Sequence, residues 1–386
     1  MFHLNSIDRL APISPEGRVV SYLPMAHIAE RFISHYSSVA FGYTITCCAN
    51  PKELPKAIAT TRPTRFFGVP RIYEKLRAAA LGAVDADPSG PLARALEAGI
   101  ARVRAEQAGE QAPAVSEEHE RTFAALREKL GLDQVEWVGV AAAPTPYAVL
   151  EFFHAIGVPV AELWGMSECL LSTSNPPARI KLGTVGTAIP GVEIELADDG
   201  EILVRGPGIL RDYRKDPERT REAIDEDGWL HSGDIAVCDE DGYFKIVDRK
   251  KELIINSAGK NMAPAHIECT IKEESPLIGQ VVAIGDARSY VTALVVLDAE
   301  AAARLAQDGL PADIAQLVEH ERVKAEIDGA VERGNARLAR VEQIKTYTLL
   351  PATWEPGGDE VTPTMKLKRK PIAEKYAPEI EALYGA

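Results

Sequence analysis

Residues 164–168 read WGMSE: an aromatic ring, a hydroxyl and a carboxylate within five positions, directly after the apolar run PVAELW. In an open α/β sheet, ligands bind outside the carboxyl ends of the strands. A ring there could stack on a base, a hydroxyl could bond a phosphate, and a carboxylate could hold Mg²⁺. The same five residues could equally be a strand-end turn with a buried tryptophan and a solvated glutamate. Other polar and glycine-rich motifs stand in order along the chain. GVAAAP (139–144) precedes WGMSE, and GEILVRGPGILRDY (200–213) and GWLHSGDIA (228–236) follow it. DRKKELIINSAGKNMAP (248–264) and VTPTMKLKR (361–369) complete the series.

The elements that must position these motifs follow from periodicity. Between residue 19 and about residue 165, short apolar runs (VVSYL, YTITC, TRFFGVP, VEWVGVAAA, PVAELWG) alternate with helical stretches such as PKELPKAIATT and YAVLEFFHAIG. Apolar runs of four to eight residues separated by helices predict a parallel sheet with helices on its faces. AHIAERFISHY reads as one helix. Residues 77–130, rich in Ala, Arg and Glu, read as two or three surface helices inserted between strands. From about residue 183 to 248 the pattern changes to short strands (VEIEL, GEILVRG, WLHSGDIAV, GYFKIVD) with DDG and EDG turns, whose glycines supply the positive φ of hairpins. This predicts a small, distorted β-barrel. After Lys251 the pattern is α+β, with VVAIG and VTALVVL as a hairpin and 314–338 as a helix carrying Val323, Ile327 and Val331 on one face.

Composition narrows the function classes. The 386 residues are 46% hydrophobic and 26% charged, as in soluble globular proteins, and the net charge is −14. An acidic chain whose basic stretches are short and local, as in KLKRK (366–370), does not suit nucleic acid. The five cysteines have no CxxC pairing, which predicts reduced thiols and a cytoplasmic location. MFHLNSIDRLAP lacks the basic lead and apolar stretch of a signal peptide. No apolar run reaches the roughly 18 residues that span a bilayer. Peripheral contact with the inner face of a membrane is the most that such a sequence suggests.

Together, the six motifs resemble the adenylate-forming (AMP-binding) superfamily of acyl-CoA synthetases, luciferases and adenylation domains. SYLPMAHIAER, FFGVPRIYEK and the ending TPTMKLKR resemble its long-chain fatty acid–CoA ligase branch. The resemblance implies an α/β fold: an incomplete doubly wound sheet (1–182) and a small β-barrel subdomain (183–249) in a large domain, then a smaller α+β lid domain (250–386). It implies ATP, Mg²⁺ and CoA as co-substrates and cofactor, and a long-chain fatty acid as substrate. Trp164 and Gly165 would face the adenine opposite Ala141, Ala142, Ala143 and Pro144. Ser167 would bond the α-phosphate and Glu168 would hold Mg²⁺. Asp234 would accept the ribose hydroxyls, as suits a two-oxygen anion. Arg249 would reach ribose or phosphate, and Lys251 would be the hinge. Ser257, Gly259, Lys260 and Asn261 would enter the site for thioester formation, Gly259 allowing close backbone approach. Lys366, with Lys368 as the competing assignment, would offset charge in adenylation. His27 would line the acyl pocket, or be a satisfied core histidine.

One family feature is expected but not found: the Ser/Thr/Gly-rich phosphate loop ending in Pro-Lys-Gly, upstream of SYLPMAHIAER. GTVGT (183–187) matches the family's linker instead. Losing two or three charge-assisted bonds of about 1.5–3 kcal/mol each would weaken ATP handling by roughly 10³-fold or more. The sheet would also be left with an uncovered edge. Three readings follow: a long-chain fatty acid–CoA ligase, a ligase for another hydrophobic carboxylic acid, or an AMP- or acyl-CoA-binding remnant that pairs with a partner chain carrying the missing N-terminal half.

Overall fold

The apolar runs pair as their lengths predict. In the computed structural model, which describes every residue except Pro363 and Ala386, β1 (Arg18–Ser21) lies parallel to β2 (Thr44–Cys47). β3 (Arg65–Gly68), β4 (Trp137–Val140) and β5 (Val160–Trp164) form a second parallel run. Every residue of β3 and β4 is buried, as expected of parallel strands covered on both faces. β6 (Thr173–Ser174) and β7 (Thr187–Ala188) extend this sheet antiparallel beyond β5.

The insertion between β3 and β4 forms three helices, Pro70–Ala86, Pro91–Ala108 and Glu117–Leu130. They are not merely superficial. Ala95, Leu96, Val103 and Phe123 join Leu150, Phe153 and Ile156 in one apolar cluster. Gly99 permits the contact: a Cβ there would lie 2.8 Å from the Ala155 carbonyl. AHIAERFISHY is not one α-helix either. A short helix, Ile28–Glu30, passes into a π-helical segment, Arg31–Tyr36, before Ser37–Phe41.

The region expected as a small barrel forms a four-stranded antiparallel sheet. Its strands are β8 (Glu193–Leu196), β9 (Glu201–Arg205), β10 (Leu230–Cys238) and β11 (Phe244–Arg249), in the order β11-β10-β9-β8. Its outer strands are not neighbours in that order. Hydrogen bonds from Val185 N to Phe244 O (2.8 Å) and from Phe244 N to Gly186 O (2.9 Å) tie it to the chain entering β7.

The described residues divide into two compact units, Met1–Ile246 and Val247–Ala386. In the second, a short hairpin of β12 (Ile254–Ile255) and β13 (Asn261–Met262) precedes β14 (Ile278–Ile284) and β15 (Val291–Leu297), the expected antiparallel hairpin. β16 (Ile344–Leu349) adds parallel to β15. β15 is buried throughout and feeds two clusters by alternation. Val291, Ala293, Val295 and Leu297 meet Ile267, Val323 and Ile327, whereas Leu294 and Val296 meet Trp354, Tyr376 and Ile380. The helix expected over 314–338 is broken at His320. Extended backbone there (ψ 129°) separates Ile314–Glu319 from Glu321–Arg337, and the His320 ring caps the second helix by accepting from Arg322 N. Among the described residues no helix is long and apolar enough to cross a membrane.

Candidate active site

β4 and β5 run side by side, with Val140 opposite Glu162, so the chain segments that follow them leave the sheet at the same edge. From β4 come Ala141 and Ala142, half-buried, then Ala143 and Pro144, exposed. Ala142 has φ +82°, a left-handed conformation that costs an alanine energy and is concentrated at functional sites. From β5 comes Trp164, only 7% exposed, packed with Cys169, Ile202, Val204 and Leu230.

Its indole Nε1 donates to Oδ2 of Asp234 at 2.8 Å, and Asp234 is equally buried. Asp234 reaches this place because β10 loses register with β9 between His231 and Ile235. At the irregularity Gly233 takes φ +73° and its N–H donates to Glu201 Oε1. Such a bulge re-aims a side chain. The ring and the carboxylate of two separate motifs therefore meet as one pair.

After Trp164 the chain turns back on itself. A Cβ on Gly165 would lie 1.8 Å from the Leu170 carbonyl oxygen, so only glycine fits. Ser167 is exposed and Glu168 half-buried. Glu168 Oε1 accepts from the Tyr213 hydroxyl at 2.8 Å, and its carbonyl accepts from Leu210 N. Tyr213 is itself held by the Arg219 guanidinium, 4.3 Å over its ring. Burial pushes the neighbouring Cys169 thiol up to about 11, which leaves it protonated and unreactive.

GTVGT is spent on structure. Gly183 N donates to Glu162 Oε2, Thr184 N to Lys181 O, Val185 N to Phe244 O and Gly186 N to Thr184 Oγ1. With four successive amides engaged inside the chain, it cannot cradle phosphate. Glu162, which anchors it, is pushed by burial up to about 8, against the opposing pull of the Gly183 N–H. His27 is half-buried, and its Nδ1 accepts from Ala29 N at 3.2 Å as the cap of the short helix.

The second unit displays its candidates differently. Arg249 ends β11 exposed, and Lys251 is exposed in the turn after it. The neighbouring Asp248 is buried, with Oδ1 accepting from Arg249 N and Oδ2 from Ala265 N at the start of the helix Pro264–Lys272. Ser257, Gly259, Lys260 and Asn261 lie exposed on the β12–β13 hairpin. Asn256 Oδ1 shapes the turn by accepting from Ala258 N and Lys260 N. Within the chain, Gly259 makes no close approach, since a Cβ there meets nothing within 4 Å; its φ of +74° is what calls for glycine.

Lys366 is exposed, held by backbone bonds with Thr362. Lys368 Nζ donates inward to Gly358 O at 2.7 Å. Beside them Arg369 forms a two-pronged ion pair with Glu268, at 2.6 and 2.8 Å, and a further bond to Glu252.

Two family profiles match this architecture: AMP-binding enzyme over residues 2–214 and AMP-binding enzyme C-terminal domain over 251–386. The chain belongs to the AMP-binding enzyme family. Its relatives include a Mycobacterium tuberculosis protein provisionally named as the fatty-acid–CoA ligase fadD11, 46% identical over all of this chain and 70% of that protein. The long-chain-fatty-acid–CoA ligase FadD15 of the same organism is 34% identical over 95% of this chain and 62% of its own length. The chicken long-chain-fatty-acid–CoA ligase ACSBG2 is 33% identical over 98% of this chain and 54% of its length. The chain thus spans between half and about two-thirds of most of these relatives.

Among solved structures, the adenylation domain of a Mycobacterium chelonae carboxylate reductase superposes with a TM-score of 0.74 at 23% identity, covering all of this chain and 56% of that one. The corresponding domain from Segniliparus rugosus, solved with AMP and a co-purified carboxylic acid, gives 0.68 at 22% identity, over 95% of this chain and 54% of that one. At these identities the likeness concerns the fold.

Within this AMP-binding fold, four residues without a role in the sequence reading hold the candidates in place: Tyr213, Glu162, Asp248 and Arg369. Three of them close or open quoted motifs. Glu162 is the one charge in an otherwise apolar strand, and that interruption was the available signal.

Proposed function

We propose that the chain carries the nucleotide-binding and lid portions of a long-chain fatty acid–CoA ligase. In that reaction a carboxylate oxygen attacks the α-phosphorus of ATP and pyrophosphate leaves. The CoA sulfur then attacks the acyl carbon and AMP leaves. The observation that carries the reading is the Trp164–Asp234 pair, beside the Ala141–Pro144 segment at the carboxyl edge of the parallel strands. An indole fixed by a carboxylate offers a flat surface for a base, and a carboxylate is an acceptor suited to ribose hydroxyls. Exposed Ser167 offers a hydroxyl for the α-phosphate, and Arg249 a permanent cation.

Glu168 suits Mg²⁺. Among the described residues no three His, Cys, Asp or Glu side chains converge as a metal cage. Mg²⁺ does not need one, since it is commonly bound through one or two carboxylates with phosphates and water completing the shell. The Tyr213 hydroxyl would keep the Glu168 carboxylate in one orientation. When bound, the ion would offset the phosphate charge. Lys366 would act on the reacting carboxylate and phosphate, Lys251 as the hinge, and Ser257, Gly259, Lys260 and Asn261 in the CoA half-reaction. His27 would border the acyl chain while capping its helix.

The test is to measure the two half-reactions separately. Pyrophosphate release from ATP, Mg²⁺ and palmitate should be slow, well below about 1 s⁻¹, the low end for ordinary enzymes. Thioester formation from preformed acyl-adenylate and CoA should be better preserved. Rapid pyrophosphate release, or equal relative losses in both assays, would overturn this division of labour. Acyl-chain profiling in the second assay separates long-chain from other hydrophobic acids. A second reading, half of a two-part enzyme, is favoured by β2, which has three of its four residues exposed and, among the described residues, pairs with β1 alone.

A further inference from the structure

Glu201 is a buried acid to which the two half-reactions give no part. It opens β9 with 6% of its surface exposed. Taking a carboxylate that far out of water is costly unless its oxygens are engaged. Both face partners here. Oε1 accepts from Gly233 N at 2.8 Å, and Oε2 lies 3.6 Å from Nδ1 of His231. The other ring nitrogen of His231 lies 3.6 Å from Oδ2 of Asp225, whose Oδ1 accepts from the amides of Asp227 and Trp229.

The hydrogen bond to Gly233 falls where the sheet is irregular. His231 pairs with Leu203 and Ile235 with Glu201, so Ser232, Gly233 and Asp234 stand opposite Ile202 alone. A strand with surplus residues loses ladder bonds there, and its backbone groups must be held in another way. Two side chains do so. Ser232 Oγ accepts from Asp234 N at 3.0 Å, closing the bulge from within. Glu201 reaches over from the neighbouring strand and ties the Gly233 amide to β9. Packing adds little at Gly233, where a Cβ would meet nothing within 4 Å. Glycine is also the residue whose dihedrals swing most freely. The next residue is Asp234, whose Oδ2 receives the Trp164 indole.

We infer that Glu201 is the positioning residue of the Trp164–Asp234 pair: by holding the Gly233 amide it fixes the bulge that aims Asp234, and so sets the affinity for ribose hydroxyls. Glu201 acts through Asp234 and not on the nucleotide. The inference rests on the ribose role proposed for Asp234. Two features of glutamate could matter at this position, and they can be separated. Its reach to the amide is shared by glutamine and not by aspartate. Its charge beside His231 is shared by aspartate and not by glutamine.

The test is calorimetric titration of AMP and of 2′,3′-dideoxy-AMP into the 386-residue chain and its Glu201→Gln and Glu201→Asp variants. Glu201→Gln should bind AMP within about twofold of the parent, as for a neutral substitution. Glu201→Asp should bind AMP about fivefold or more weakly, as for residues coupled in one hydrogen-bonded network. It should bind dideoxy-AMP within about twofold of the parent, because that ligand lacks the hydroxyls Asp234 would accept from. Equal weakening of both nucleotides would show a merely structural role and overturn the inference. So would the reverse order, aspartate spared and glutamine impaired, since the charge beside His231 would then be what counts. Unchanged AMP affinity in both variants would overturn it as well.

A second readout needs no nucleotide. The chain has four tryptophans, and the indole N–H resonance of Trp164 is identified by its loss in Trp164→Phe. That resonance should shift in Glu201→Asp and stay in place in Glu201→Gln; an unmoved resonance in Glu201→Asp would overturn the inference. If the parent chain binds both nucleotides alike, the ribose reading of Asp234 fails instead, and the indole resonance still decides whether Glu201 sets the pair.

Discussion

The two units hold their candidate groups in opposite ways. In the first, the central groups are held by side-chain bonds: buried Trp164 to buried Asp234, and half-buried Glu168 to Tyr213. In the second, Lys251, Lys366 and the 257–261 turn stand exposed, and burial is reserved for what lies beneath them. Asp248 fixes the start of one helix, and Arg369 grips Glu268. A surface that receives a rigid base and ribose gains from groups already in position, since less freedom is lost on binding. A loop that acts at only one step of a reaction gains from a firm base and an unencumbered tip.

That contrast can be broken at its anchors first. Arg369→Ala should have the largest effect, because it leaves buried Glu268 without its cation. Removing one partner of a buried pair costs about 3–5 kcal/mol. Hydrogen exchange should accelerate in the Pro264–Lys272 helix while the first unit is unaffected. Unchanged exchange there would mean that the base of the second unit does not depend on this pair.

Next comes Asp234→Ala, which should weaken AMP binding by about 30- to 10³-fold, or about 2–4 kcal/mol. The variant also strips the Trp164 N–H of its acceptor. Trp164→Phe, which keeps a ring and the carboxylate, should therefore lose much less. Calorimetric titration of AMP into both would separate the two contributions. If Asp234→Ala binds AMP like the parent chain, the buried pair is structural and the comparison between units fails.

Glu162 sharpens the same contrast through pH. Its carboxyl is raised from 4.5 to about 8 by burial. The folded chain therefore keeps a proton that the unfolded chain releases near 4.5. The contribution of this group to stability falls as pH rises between those two values. Glu162→Gln, which retains an oxygen for the Gly183 N–H, should flatten the dependence of denaturation midpoint on pH across that window. An unaltered pH profile would rule out Glu162 as its source.

Tyr213→Phe should cost about 1 kcal/mol, or roughly fivefold, in Mg²⁺-dependent nucleotide binding, through a less ordered Glu168. The smallest expected change is AMP affinity in Lys366→Ala. An exposed lysine assigned to the adenylation step should leave AMP binding within about twofold, within the range of ordinary surface substitutions, while slowing pyrophosphate release. A large loss of AMP affinity would place Lys366 among the ground-state binding groups.

Much of this molecule is legible in its sequence alone. The alternation of apolar runs with helical stretches gave β1 to β5, the glycine-punctuated strands gave β8 to β11, and the order of six motifs gave the family and the residues to inspect. These are local patterns, written in side-chain period and turn chemistry over windows of a dozen residues. The helix break at His320 escaped that reading because a histidine cap and two extended dihedrals interrupt a pattern whose apolar spacing runs on unbroken.

What only the tertiary structure decided was pairing across distance. Trp164 meets Asp234 across 70 positions, and Arg369 meets Glu268 across 101. The amides of GTVGT are consumed by partners as remote as Phe244. Nothing in a residue's neighbours states which buried donor will find which acceptor. That is settled when the sheets close over a shared core and every buried polar group must be satisfied at once.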